Sequence, residues 1–344
     1  MAQRKIGLTL GKFAPLHKGH QLLIETALEE MDEVIVVIYD SPEVTNIPLN
    51  VRAGWIRRLY PEAEVIEGWD GPSDAGHSIE VQRIQERYIL GLLGGRSITH
   101  FYSSEFYGEH MSKALHAVNR QVDGDRLKRP VSGTMIREDA YGNRRFVDNI
   151  VYRDLIVSAV FLGAPSTGKS TLAAHLAKRH ETAWMPEYGR EYWERHQQNR
   201  RLTLVQLEEI AEGHLLREEQ LLQQAKEVLF VDTNVLTTNR FAHYYHGKST
   251  EKLEAMAAKS QARYDLIFVC DTDIPYADTW DRSGAAQREL FQKQIVADLQ
   301  VRKLPYILLR GTLEERAEKV ERVLKGFRKF QSMGEWRDGW SSED

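Results

Sequence analysis

Two histidines three residues apart, His17 and His20, stand in the segment Gly11-Lys12-Phe13-Ala14-Pro15-Leu16-His17-Lys18-Gly19-His20. The segment joins a short apolar run to a helical pattern. A helix start leaves N–H groups unpaired and carries partial positive charge, which suits anions. A spacing of three sets both rings on one face. Gly19 leaves room for a phosphate to approach the backbone, and Lys12 adds a mobile cation. Gly11 and Phe13 complete the nucleotide-facing loop. Transfer of a nucleotidyl group to a phosphate needs no base, because the attacking phosphate is already ionised. It needs charge stabilisation on the α-phosphate and on the leaving pyrophosphate. Imidazoles, an ammonium and a helix end supply that. The plainer alternative is that the histidines only cap the helix.

A second string suits the same chemistry. In Val131-Ser132-Gly133-Thr134-Met135-Ile136-Arg137 the hydroxyls of Ser132 and Thr134 and a helix start favour phosphate. Arg137, one turn on, can fork onto two oxygens.

The second half carries Gly163-Ala164-Pro165-Ser166-Thr167-Gly168-Lys169-Ser170, which fits G-x-x-x-x-G-K-[ST] between a strand pattern and a helix pattern. Its N–H groups would cradle the β-phosphate, Lys169 would bridge β and γ, and Ser170 would bind Mg²⁺. Gly163, Ser166, Thr167, Gly168, Ser170 and Thr171 are the expected ATP contacts. A kinase acting on a sugar hydroxyl must also take a proton from its acceptor, so a carboxylate is expected. Glu187 and Asp232 stand at predicted strand ends, and either could serve as base or ribose ligand while the other orders Mg²⁺. The Pro-broken stretch 273–282 reads as a lid with Arg282 as its cation. Arg316 and Arg322, on a later helix, are expected to be solvated.

These residues need elements to hold them. Strands are expected at 6–10, 34–38, 155–162, 228–231, 266–270 and 306–309, and helices at 169–178 and 204–225. Leu23, Ala27 and Met31 form one stripe of a helix after the histidine loop. Alternating strands and helices build doubly wound sheets. The expected fold is α/β in two doubly wound domains, 1–150 and 155–335: a Rossmann-like nucleotidyltransferase followed by a P-loop kinase.

The 344 residues have 42% hydrophobic and 28% charged content and a formal net charge of -4. That balance argues against a general nucleic-acid or anionic-membrane binder. The single cysteine, Cys270, excludes a disulfide within the chain and reads as a small buried strand residue. No apolar run reaches membrane-helix length and no secretory signal opens the chain, so a cytoplasmic location is expected.

G-K-F-x-P-x-H-x-G-H together with S-x-T-x-I-R resembles the nucleotidylyltransferase superfamily. The resemblance implies that His17 and His20 hold ATP phosphates, with His20 foremost in catalysis. It implies that Ser132, Thr134 and Arg137 grip the triphosphate and that 101–105, Ser104 included, lines the nucleotide. Trp69, with Asp70, would approach the nicotinamide side. Fused upstream of a P-loop unit containing Glu187-Tyr188-Gly189-Arg190-Glu191, the chain resembles the NadR-type bifunctional adenylyltransferase/ribosylnicotinamide kinases. That implies ATP, nicotinamide mononucleotide (NMN) and nicotinamide riboside as small-molecule partners, Mg²⁺ as cofactor and NAD as product. Glu187, Tyr188 and Arg190 would contact the riboside, and Asp232 would share the metal with Ser170. A homo-oligomer is compatible with this. Some members begin with a helix-turn-helix domain; this chain opens on the first catalytic strand, so DNA is not an expected partner. The lid departs from P-W-x-x-D-G-x-R at Tyr276, Thr279 and Trp280 while Arg282 keeps its place. Another small acceptor, or a nucleotide-sensing regulator, would fit the same folds.

Overall fold

The β-branched run 34–38 is the buried centre of a strand, Glu33–Tyr39. A strand buried on both faces requires cover on both, the situation of a parallel sheet between helices. The computed structural model describes residues 4–72, 78–104, 108–197, 202–275 and 285–331. It divides between Tyr152 and Arg153 into two compact units, each with one five-stranded sheet whose pairings are all parallel.

In the first unit the strands are β1 (Ile6–Gly11), β2 (Glu33–Tyr39), β3 (Glu64–Gly68), β4 (His100–Ser103) and β5 (Val118–Gln121). Their order, β3-β2-β1-β4-β5, sends the chain from β1 to one side and returns it to the other. The crossovers diverge at the carboxyl ends of β1 and β4, and a crevice opens there. Leu8, Leu10, Ile35, Val37 and Phe101 on one face pack with Ile89 and Leu93 of the helix Ile79–Leu93. Each such side chain, fully buried, contributes roughly 1.5–3 kcal/mol.

In the second unit β6 (Val157–Leu162), β7 (Trp184–Met185), β8 (Val228–Asp232), β9 (Leu266–Cys270) and β10 (Ile307–Leu309) take the order β10-β9-β6-β8-β7. Its core joins Phe161, Phe230, Phe268 and Cys270 to Leu172 and Leu176 of the helix Lys169–Arg179. Burial pushes the Cys270 thiol up to about 11, so it stays protonated at neutral pH. Among the described residues no helix is long and apolar enough to cross a membrane.

Two boundaries differ from the sequence pattern by more than one residue. Residue 155 closes a helix, Asn149–Leu155, and the strand starts two residues later. The apolar run at 155–157 straddles both elements, and hydrophobicity alone does not divide it. The long helix ends at Leu222 instead of 225, with Leu207, Ile210, Ala211 and His214 buried as their spacing implies.

Gly163 leaves β6 at φ 141°, where a Cβ would stand 2.6 Å from the Cys270 carbonyl oxygen. Gly163→Ala should therefore cost the second unit about 1–3 kcal/mol. Urea unfolding would register this as a lowered midpoint; an unchanged midpoint would mean the loop relaxes freely.

Candidate active sites

The loop after β1 turns into the helix Lys18–Glu30 through His17, which is its N-cap. Nδ1 of His17 accepts from the N–H groups of Gly19 at 3.2 Å and His20 at 3.4 Å. Nδ1 of His20 accepts in return from the N–H of His17 at 3.4 Å. This is a capping box made from two imidazoles. The rings stack with centroids 3.7 Å apart and 17° between planes, and Phe13 meets His20 edge-on at 5.0 Å. Capping thus describes the pair, and it does not remove the histidines from the cavity. With each Nδ1 an acceptor, the hydrogen-bond pattern puts each neutral ring's proton on Nε2. Burial, then the nearby Arg126, lower the His17 pKa to about 4. Burial, then His17 and Arg126, push His20 well below its usual value. Both rings are neutral at pH 7.

A cavity of about 1140 Å³ opens over this pair at the carboxyl ends of β1 and β4. Gly11, Lys12, Phe13, His17 and His20 line it, and so do Ser104, Ser132, Thr134 and Arg137. Ser132 caps the short helix Gly133–Glu138 by accepting from the N–H of Met135 at 3.2 Å. Arg137 donates to the Ala14 carbonyl and, at 3.0 Å, to the Thr134 hydroxyl, so it ties the two phosphate strings together. Gly133 permits this, since a Cβ there would stand 3.0 Å from Ala14 O. Lys12 is paired with Glu43. Trp69 is 57% exposed and is not among the residues lining the cavity. Tyr88 is, and its hydroxyl donates to Asp70 at 2.9 Å.

Sequence reading missed Arg52, Arg126 and Arg129. Arg52, fully buried, donates to the Lys12 carbonyl, to Tyr39 O at 3.2 Å and to Ile47 O at 3.0 Å, and pairs with Asp40 at 3.1 Å. Nothing in its local pattern separates it from a solvated helix arginine. Arg126 and Arg129 line the cavity from a loop that Asp123 folds by accepting from the N–H groups of Lys128 and Arg129, each at 2.9 Å. The basic run 126–129, just ahead of the Ser132 string, was the available signal.

In the second unit the P-loop lies between β6 and the helix Lys169–Arg179. Gly163 and Gly168 have φ of 141° and 81°, and Ser166, at φ 60°, is also left-handed. Lys169 is buried and donates to the Ala164 carbonyl at 2.9 Å, with the Thr167 hydroxyl on the same oxygen at 2.8 Å. A cavity of about 390 Å³ over the loop takes in Gly163, Ser166, Thr167, Gly168, Lys169, Ser170 and Thr171. Glu187 and Arg190 line it as well, 3.6 Å apart across the first turn of the helix Tyr188–His196. Tyr188 does not; its ring lies where a Cβ on Gly213 would be, on the long helix.

Asp232 ends β8 fully buried, and both its carboxylate oxygens lack a hydrogen-bond partner. Burial and the Glu187 charge push it up to about 6, against the pull of Lys169 and Ser170. Two orphaned carboxylate oxygens beside a serine hydroxyl form an oxygen donor set that fits Mg²⁺, with the Lys169 ammonium nearby as a separate positive charge. Among the described residues no group of three or more His, Cys, Asp or Glu could hold a metal. Arg282, Tyr276, Thr279 and Trp280 lie outside the described residues.

Arg322 is exposed as expected, but Arg316 is not solvated. It is 3% exposed, donates to Thr167 O at 2.6 Å and to Gly311 O at 3.0 Å, and pairs with Asp273. Arg288 likewise donates to Ser166 O at 3.1 Å, and Gln292 bridges Ala164 N–H (2.8 Å) and Cys270 O (3.1 Å). These side chains lie far along the chain from the loop they hold, so local pattern could not place them.

Two expectations follow from this geometry. Arg316→Ala leaves Thr167 O and Oδ1 of Asp273 without their donor and should destabilise the second unit by about 3 kcal/mol, read as a lowered urea midpoint. For the histidines, the unfolded chain binds protons between about pH 6.5 and 4 that folded His17 does not. Stability should therefore fall as pH drops through that window, by up to about 1.4 kcal/mol per pH unit for His17. His17→Asn should flatten this slope in thermal unfolding at pH 7 and 5; an unchanged slope would contradict the buried neutral assignment.

Comparison with known proteins matches these units separately. A cytidylyltransferase-like family matches residues 8–139, and an AAA domain family matches 158–316. The trifunctional NAD biosynthesis/regulator protein NadR of Salmonella typhimurium is 25% identical over 89% of this chain and 78% of its own. That of Escherichia coli is 24% identical over the same shares. A phosphopantetheine adenylyltransferase of Fusobacterium nucleatum is 29% identical over 44% of this chain and 94% of its own. The fold is that of a NadR crystallised with NAD and AMP-PNP, with TM-score 0.55, 21% identity and 94% and 97% of the two chains covered. Cytidylyltransferase-like domain first and AAA domain second, the chain is a NadR-like protein.

Proposed function

We propose that the two units catalyse consecutive steps of NAD synthesis. The second unit, 155–335, transfers the γ-phosphoryl group of ATP to nicotinamide riboside and yields NMN and ADP. The first, 1–150, transfers the adenylyl group of ATP to NMN and yields NAD and pyrophosphate. One observation carries the reading. A histidine-pair loop and a P-loop each lie at the carboxyl end of the central strand of a parallel sheet, in one chain that is similar over 89% of its length to relatives named for NAD biosynthesis.

At the first site an NMN phosphate oxygen attacks the α-phosphorus of ATP, and the bond to the bridging oxygen of pyrophosphate breaks. No proton need move. Neutral His17 and His20 act as fixed Nε2–H donors, while Arg126, Arg129 and Arg137 supply positive charge. At the second site the riboside hydroxyl attacks the γ-phosphorus, ADP leaves, and the hydroxyl proton passes to a carboxylate. Glu187 lines the acceptor cavity and takes the base role. Asp232, deeper and beside Ser170 and Lys169, takes the metal role. Bound Mg²⁺, held by Ser170 and Asp232, would neutralise triphosphate charge.

The likeness of the first unit to a phosphopantetheine adenylyltransferase favours one second reading, with phosphopantetheine as the adenylyl acceptor. A product assay with Mg-ATP and NMN, phosphopantetheine or nicotinamide riboside in separate tubes decides. NAD from NMN, and NMN or NAD from the riboside, are the expected products. Dephospho-coenzyme A without NAD would transfer the assignment to the second reading. His20→Ala should abolish NAD formation from NMN and spare riboside phosphorylation, and Lys169→Ala should do the reverse. Glu187→Gln should lower riboside turnover about a hundredfold or more, the scale of general-base loss.

A further inference from the structure

One face of the helix Leu204–Leu222 walls the second cavity with Leu207, Ile210 and His214. Trp193, Phe241 and Tyr245 continue the wall, a lining suited to the faces of a flat ring. Of the three lining residues on this helix His214 is the polar one, and it is 3% exposed.

A buried imidazole has two ring nitrogens to satisfy. Nε2 of His214 lies 3.3 Å from Oε2 of Glu218, one helical turn on, an ion-pair distance without hydrogen-bond geometry. Glu218 is 1% exposed and fully engaged. Its Oε1 accepts from Arg263 Nε at 3.0 Å and Nη2 at 2.8 Å, and its Oε2 accepts from the Tyr264 hydroxyl at 2.7 Å. Burial pushes this carboxyl up, but His214, Arg263 and Tyr264 hold it down at about 2. An ionised carboxylate, held by Arg263 and Tyr264, therefore stands behind the imidazole at ion-pair distance. Among the described residues His214 has no other polar contact, and Nε2 is fully buried without a hydrogen bond whereas Nδ1 is not, so Nδ1 is the nitrogen open to the cavity.

We propose that His214 is a specificity-determining residue of the acceptor site, hydrogen-bonding through Nδ1 to the carboxamide on the acceptor's pyridine ring. The inference rests on the kinase reading above. The reacting hydroxyl must lie near Glu187, Asp232 and the P-loop, so the ring end of the riboside extends toward the apolar walls. A buried imidazole on the wall meets the ring's one polar substituent. Sites built to hydrogen-bond a substrate group reject analogues that lack it, because the buried partner is then left unpaired.

The test compares the full chain with His214→Phe and His214→Gln on two acceptors, nicotinamide riboside and the pyridine riboside lacking the carboxamide. If the unaltered protein does not phosphorylate nicotinamide riboside, the kinase reading fails and not this inference. Given that activity, His214→Phe should raise KM for nicotinamide riboside about tenfold or more, the scale of one lost hydrogen bond in a buried site. KM for ATP and for the pyridine riboside should hold within about twofold, so the preference between ribosides collapses. His214→Gln, which keeps a hydrogen-bonding amide, should recover part of the preference. Equal losses on both ribosides would reduce His214 to a packing residue, and an unchanged preference would also overturn the proposal. If His214→Phe fails to fold, the riboside preference of His214→Gln decides alone: unchanged overturns it, reduced supports it.

Discussion

A loop that turns its N–H groups toward an anion must turn carbonyls the other way, and a buried carbonyl needs a donor. Each unit meets this constraint with arginines drawn from outside the loop. In the first, Arg52 and Arg137 donate to the carbonyls of Lys12 and Ala14. In the second, Arg316 and Arg288 donate to those of Thr167 and Ser166. Each loop also holds a non-glycine residue in the left-handed region, Phe13 at φ 45° and Ser166 at φ 60°. Such residues cost of order 1–3 kcal/mol and persist only where the surroundings over-determine them. The guanidinium contacts and the flanking strands supply that determination. Rigid loops then present their amides without further reorganisation, which is what charge stabilisation in a transition state requires.

The two loops serve different proton requirements. The histidine pair spends its Nδ1 atoms on the helix start and on each other, and burial keeps both rings neutral. Neutral donors suffice for adenylyl transfer, because the attacking phosphate arrives ionised. The P-loop unit acts on a hydroxyl in the proposed reaction, and there the structure sets two carboxylates at different depths. Asp232 is fully buried with unpartnered oxygens, whereas Glu187 lies at a helix start on the cavity wall. In the proposed reaction these depths divide the roles, one toward metal and one toward the acceptor proton.

The sheets and phosphate loops were legible in sequence because their signals are local. Continuous β-branched runs marked the buried parallel strands, and glycine and hydroxyl spacings marked the loops. The run at 155–157 misled because helix end and strand start share one apolar string. Arg316 was misread for a different reason. It lies 149 residues from the Thr167 carbonyl it meets, and helical spacing alone does not tell a buried arginine from a solvated one. The histidines were read as chemistry against capping; the structure shows the capping, and it is compatible with the first reading because it uses only Nδ1 of each imidazole. Arg52 escaped notice, and His214 was legible only as one residue of a helical stripe, because what each meets comes from tertiary neighbours and not from any motif.

Binding of a non-hydrolysable ATP analogue, measured by titration calorimetry, tests directly whether the chain carries two independent phosphate sites. The account predicts about two analogue molecules per chain, and about one once Lys169 is replaced by alanine. A single site in the unaltered protein, or loss of all binding in a folded Lys169→Ala variant, would contradict it.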